Sequence, residues 1–184
     1  MANANNIITG EANLYLSPAI TSWTNVGYTH GGVELAWEPN MIDIEVDQLG
    51  DAARIIQSKI KVMVKTSMAE VTLQNLTAVW GYSGSYGTTV PGATQPGLQS
   101  GGTTLNVGVH GATPEERQIK VVGPAAGSTA QAAIVRTFIA TRAISAVASA
   151  GSWQRNDSYK LPVDFRVLPN SANTGAEYGT IIDV

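Results

Sequence analysis

Three carboxylates, Asp43, Glu45 and Asp47, stand at every second position of one run, so a strand projects them from a single face about 6 to 7 Å apart. That spacing makes a charged stripe. A bound cation needs oxygens converging within about 2.6 Å from a curled loop, so calcium chemistry is disfavoured. The chain's two histidines, His30 and His110, each lie beside glycine in turn-like surroundings and read as surface residues. Gly81-Tyr82-Ser83-Gly84-Ser85-Tyr86-Gly87 lacks the G-x-S-x-G spacing of a nucleophile elbow, and no phosphate-binding loop is present. Cysteine is absent, which removes disulfides, thiolate metal sites and thiol nucleophiles. No acid, base and nucleophile can be assembled, and the residues point away from an enzyme and from any cofactor or metal.

The stripe has two readings. It is either a repelling acidic surface toward DNA phosphates or a solvated face neutralised by Lys59, Lys61 or Arg54 on a partner strand, and the hairpin register decides between them. Trp23 and Trp153 leave open a sugar platform, whereas Trp37 and Trp80 read as core residues of a strand and a helix. Asn75-Leu76-Thr77 and Asn156-Asp157-Ser158 match a glycosylation pattern by chance, because the N-terminus has no secretory signal; synthesis in the cytoplasm is expected.

Composition sets the frame for these groups. With 184 residues the chain is expected to form a single domain over 1–184. Only 14% of it is charged, 19 residues are glycine and two are phenylalanine, which favours strands joined by turns around a core of small and β-branched side chains. A net charge of -3 offers no broad basic surface for stable nucleic-acid binding. The most apolar stretch, 132–150, contains Arg136 and Arg142, so membrane insertion is not expected.

Alternation marks strands at 12–16, 33–38, 42–46, 52–56, 59–65, 103–109, 117–122, 132–141 and 161–168, with weaker candidates at 23–26 and 152–155. His30-Gly31-Gly32 reads as a turn. The apolar parity switches at Pro39-Asn40, which signals a bulge or bend. The strands around Gly50-Asp51 form a long hairpin whose tip, 47–57, projects as an arm. Ser67 and Glu70 fit a capping box opening a helix over about 67–80, with Ala69, Leu73, Leu76 and Trp80 on its apolar face and Gln74, Asn75 and Thr77 away from it. A Gly/Ser/Thr-rich loop occupies 82–102, and the tail after Pro169 reads as extended.

In order, Glu11-Ala12-Asn13-Leu14-Tyr15-Leu16, Gly31-Gly32-Val33-Glu34-Leu35 with Trp37-Glu38-Pro39, Asp43-Ile44-Glu45-Val46-Asp47-Gln48, Val64-Lys65-Thr66-Ser67-Met68-Ala69-Glu70, and Leu161-Pro162-Val163-Asp164-Phe165-Arg166-Val167-Leu168-Pro169 resemble the major tail tube proteins of long-tailed bacteriophages. The 82–102 loop has no counterpart there. The resemblance implies a mainly β fold, a β-sandwich or partial barrel with one flanking helix, whose inner sheet completes a ring-shaped β-barrel in a hexamer. It implies a structural virion protein of stacked rings, assembled in the host cytoplasm, through which the genome passes with only transient, non-specific DNA contact. Implied partners are further copies of the chain, a tape measure protein, neck or terminator and tail tip proteins, and a sheath if the tail is contractile. The arm, including Gln48, Leu49, Gly50, Asp51, Arg54, Ile55 and Ile56, would serve ring stacking, and Asp43, Glu45 and Asp47 would line the lumen. Two alternatives remain: the tube protein of a contractile injection system, which shares the fold, and a monomeric β-sandwich module that binds glycans.

Overall fold

The computed structural model describes residues 10–17, 22–45, 52–80, 114–126, 134–146 and 159–184. Expectations for the arm tip at 46–51, the 82–102 loop, the strands at 103–109 and 152–155, His110 and Trp153 fall outside these residues. The elements are β1 (Asn13–Ser17), β2 (Thr24–Asn25), β3 (Thr29–Glu45), β4 (Ala52–Met68), α1 (Leu73–Val79), β5 (Arg117–Pro124), β6 (Val135–Ser145), β7 (Leu161–Val167) and β8 (Thr180–Asp183). The fold is mainly β. All eight strands join in one antiparallel sheet ordered β2-β1-β5-β6-β7-β4-β3, with β8 paired to β6 beside that path.

One sheet can enclose a core because β6 turns a corner. Arg117 faces Ala143 but Ile119 faces Ala140, so β6 carries an extra residue there, the signature of a bulge that bends a strand. At that bend the neighbour of β6 changes from β8, along Arg136 to Ile139, to β7, along Ala143 to Ser145. Leu168 N donates to Arg142 O at 2.8 Å and Asn170 Nδ2 to Thr141 Oγ1 at 3.0 Å, which fastens the fork. The sheet curls far enough that β1 touches β3, near opposite ends of the path.

The inner face reads directly from strand alternation. In β7, Leu161, Val163, Phe165 and Val167 are buried while Pro162 and Arg166 are exposed. They meet Met68, Thr66, Val64 and Val62 of β4 in strict register. Pro162 pairs with Ser67 of β4, and among the described residues no β6 residue pairs with it, a position that a residue without an N–H tolerates. Leu14, Leu16, Ile119, Phe138, Ala140 and Ala143 complete the core from β1, β5 and β6, and Ala78 and Val79 of α1 join the same cluster.

The helix starts later than its sequence signal. Ser67 and Met68 still pair with Pro162 and Leu161, so the ladder holds the backbone extended through the supposed capping box. Thr72 is the N-cap instead, its Oγ1 accepting from Asn75 N at 3.1 Å. Glu70 turns away from the helix: its Oε1 accepts from Tyr28 N at 3.1 Å, across the turn at Gly27. Gly27 has φ +86, where a side chain is strained, and a Cβ there would lie 2.3 Å from the Glu70 carboxyl carbon and displace it. The buried face also differs. Asn75 and Thr77 are buried and Trp80 is exposed. Asn75 Nδ2 donates to Val26 O at 2.8 Å and Glu70 O at 2.7 Å, so a polar residue is satisfied inside and ties α1 to the turn after β2.

Three further readings change. His30-Gly31-Gly32 is a bulge inside β3, the register slipping between His30 and Val33 with both glycines at positive φ. The tail after Pro169 passes through turns at 171–178 and then forms β8. The parity switch at Pro39-Asn40 does coincide with a bulge, but its extra residue is Ser58 on β4, whose Oγ hydrogen-bonds Asn40.

Candidate assembly surface

Past the bulge at Ser58, the β3–β4 hairpin runs beyond the other described strands. Residues 52–61 of β4 have β3 as their only strand neighbour among the described residues, because β7 pairs β4 only from Val62 to Met68. Strand β3 ends the sheet path, so among the described residues no strand pairs with its outer edge. Among the described residues the result is a two-stranded ribbon whose outward backbone donors and acceptors, on either side, meet no further strand. Ribbons of two strands are marginal alone in water, and long apolar edges invite pairing.

The side chains point to the same conclusion. Met41 and Ile55 occupy one face and are 51% and 63% exposed, with Trp37, 58% exposed, on the same face at the ribbon's base; Ile42, Ile44 and Ile56 are exposed on the other. Scattered surface apolars need no explanation, but these follow one another along both faces of one projecting element. Trp37, expected in the core, is exposed at the base of this ribbon, opposite Val62, and Trp80 likewise is not a core residue.

Of the sequence-derived stripe, Asp43 and Glu45 are exposed on β3, on the Met41 face, and Asp47 lies outside the described residues. Asp43 faces Ile55 and Glu45 faces Ala52. The cations considered as neutralisers are elsewhere: Arg54 is opposite Ile44, Lys59 opposite Asn40, and Lys61 pairs with Glu38 at 3.1 Å. Asp43 and Glu45 carry no ion pair among the described residues. Arg54, Ile55 and Ile56 of the arm are exposed on β4, whereas Gln48, Leu49, Gly50 and Asp51 are not among the described residues. The cap residues Ser67 and Glu70 serve the ladder and the Gly27 turn, as above.

Other polar groups stabilise the frame. Arg136 donates to both carboxylate oxygens of Asp183 at 2.7 Å, clamping β8 to β6. These hydrogen bonds hold the Asp183 carboxyl below its ordinary range and raise the Arg136 guanidinium. Arg142 and Glu116 form an equivalent bidentate pair, which lowers the Glu116 carboxyl. Trp23 is half-buried and, with Tyr15, flanks Lys120, whose Nζ lies 5.0 and 4.5 Å from the two ring centroids. His30 is exposed opposite Ser67. Among the described residues no three His, Cys, Asp or Glu side chains converge on a metal-sized site, and no helix is long and apolar enough to cross a membrane.

An apolar groove of about 260 Å³ runs between the base of β3, at Val33 and Leu35, and Val121, Phe138 and Ile181. Strand β8 was missed from the sequence, although the β-branched Thr180-Ile181-Ile182 after Gly179 carries its signal. No family model matches the chain, and no curated protein matches it.

Proposed function

We propose that this chain is a structural protein whose copies join through the β3–β4 ribbon into closed rings that stack as a hollow tube, the tail tube of a bacterial virus, and that its work is mechanical rather than catalytic. The observation that carries the reading is the ribbon: among the described residues no strand pairs with either of its edges, and apolar side chains are exposed on both faces. Each of those features is costly in an isolated molecule and is relieved when another copy supplies a strand and a surface.

Antiparallel order makes closure geometrically consistent. Copies related by rotation about a common axis place β4 of one ribbon beside β3 of the next, running in opposite directions like every other pair in the sheet. A heterologous contact of that kind closes laterally. The ordered resemblance to tail tube proteins supplies the hexameric ring, the genome as cargo, and tape measure, neck and tip proteins as partners.

Sedimentation velocity over a range of concentrations tests the proposal. A discrete closed oligomer, followed by larger species that are multiples of it, is the expected result. A single monomer boundary up to millimolar concentration would refute it.

A further inference from the structure

The β3–β4–β7 sheet has a second face, opposite the core, and its chemistry is ordered. Cross-strand partners share a face, so the pairs Glu34 with Lys65, Glu38 with Lys61, Lys65 with Asp164, and Met63 with Arg166 place six charged residues on one surface. Lys59, opposite Asn40, continues the row. Strand β3 contributes the acids and β4 the lysines. Glu38 bridges two of them, with Oε2 3.1 Å from Lys61 Nζ and Oε1 3.9 Å from Lys65 Nζ, and Glu34 Oε1 lies 3.7 Å from Lys65 Nζ.

These pairs are solvent-exposed, and exposed pairs contribute little to folding stability. Their effect on the local field is larger. Without Glu34 and Glu38 the face would present Lys59, Lys61, Lys65 and Arg166 against Asp164 alone, a cationic array of the kind that captures phosphates by counterion release. We propose that Glu34 and Glu38 mask Lys61 and Lys65, so that this face lets a nucleic acid pass without holding it. The inference rests on the tube reading above and specifies, within it, the wall along which a polyanion slides. It is distinct from the Asp43 and Glu45 stripe, which alternation puts on the other face of β3. Masking by paired charge suits a conduit, because an uncompensated basic wall retains a polyanion.

The test is fluorescence anisotropy of a short labelled DNA duplex with dispersed protein, kept below the assembly concentration. Glu34→Gln/Glu38→Gln is compared with Glu11→Gln/Glu177→Gln, which removes the same formal charge elsewhere. At about 50 mM salt the first variant is expected to bind at least about tenfold more tightly than the second, with a log–log salt slope steeper by about 2, for two unmasked cations. Equal binding by the two variants, or a gain that salt does not weaken, overturns the proposal. Glu38→Gln alone, which unpairs both lysines from their shared carboxylate, carries the same comparison if the double variant does not fold. Tubes that form normally while the DNA gain is absent would sink the masking alone; a chain that never assembles would sink the reading of the preceding subsection.

Discussion

Replacing Met41, Ile42 and Ile55 together by threonine separates assembly from folding. Threonine keeps strand propensity, so the ribbon backbone is retained while its apolar surface shrinks. In the isolated chain these side chains are 51%, 52% and 63% exposed, so about half of each remains to be covered by a neighbour. Full burial of such a side chain stabilises by about 1.5–3 kcal/mol, which leaves about 0.8–1.5 kcal/mol per residue and about 2.5–4.5 kcal/mol for the three. At about 1.4 kcal/mol per decade, the concentration at which assembly begins should rise between roughly fiftyfold and a thousandfold. Light scattering against concentration gives that threshold, and urea denaturation of dispersed protein gives the fold's own stability, expected to change by less than about 1 kcal/mol. An unchanged threshold, or a loss of monomer stability as large as the loss of assembly, would show that the ribbon is internal structure and not an interface.

Other substitutions test the frame beneath it. Gly27→Ala forces a Cβ against the Glu70 carboxyl at positive φ and should cost more than about 1 kcal/mol in thermal or urea unfolding; Glu70→Ala in the same chain should restore only the steric part. Asn75→Ala leaves Val26 O and Glu70 O without their amide donor and should cost about 1–3 kcal/mol by urea denaturation, more than Gln74→Ala on the exposed side. The Asp183 carboxyl is held below its ordinary value of 3.8, so the stabilisation of β8 is present above that value and is lost as pH falls through the lower, folded value. Hydrogen exchange at Val135 N and Val184 N, which close the end of the β6–β8 pair, should therefore accelerate in that acid window, and Asp183→Asn should remove the pH dependence.

Strands with one buried face were legible. The run from Leu161 to Val167 alternates because β4 and the core fix one side of it, and its bounds are nearly those read from sequence. The long hairpin and the parity switch near Asn40 were legible from apolar alternation although neither face is buried there, and sequence could not say that Ser58 on the other strand holds the extra residue. The capping box misled because local propensity lost to pairing: Ser67 and Met68 belong to a ladder with residues almost a hundred positions away. Buried Asn75 was unreadable, since its partners are a carbonyl 49 residues away and one at the strand-to-helix junction. Trp37 and Trp80 were assigned to the core because large aromatics usually are, yet both are exposed, Trp37 at the base of the ribbon and Trp80 at the end of α1. On the candidate site, the charge stripe was visible but its neutralisers were not, because only the register assigns Lys61 to Glu38 rather than to Asp43.

Electron microscopy of the purified chain, stained as its concentration is raised, tests the central claim most directly. Rings of uniform diameter with a stain-filled centre, stacking into hollow tubes, are what the free edges and two apolar faces of the ribbon predict. Fields of separate globular particles, or disordered aggregates without a channel at any concentration, would contradict it.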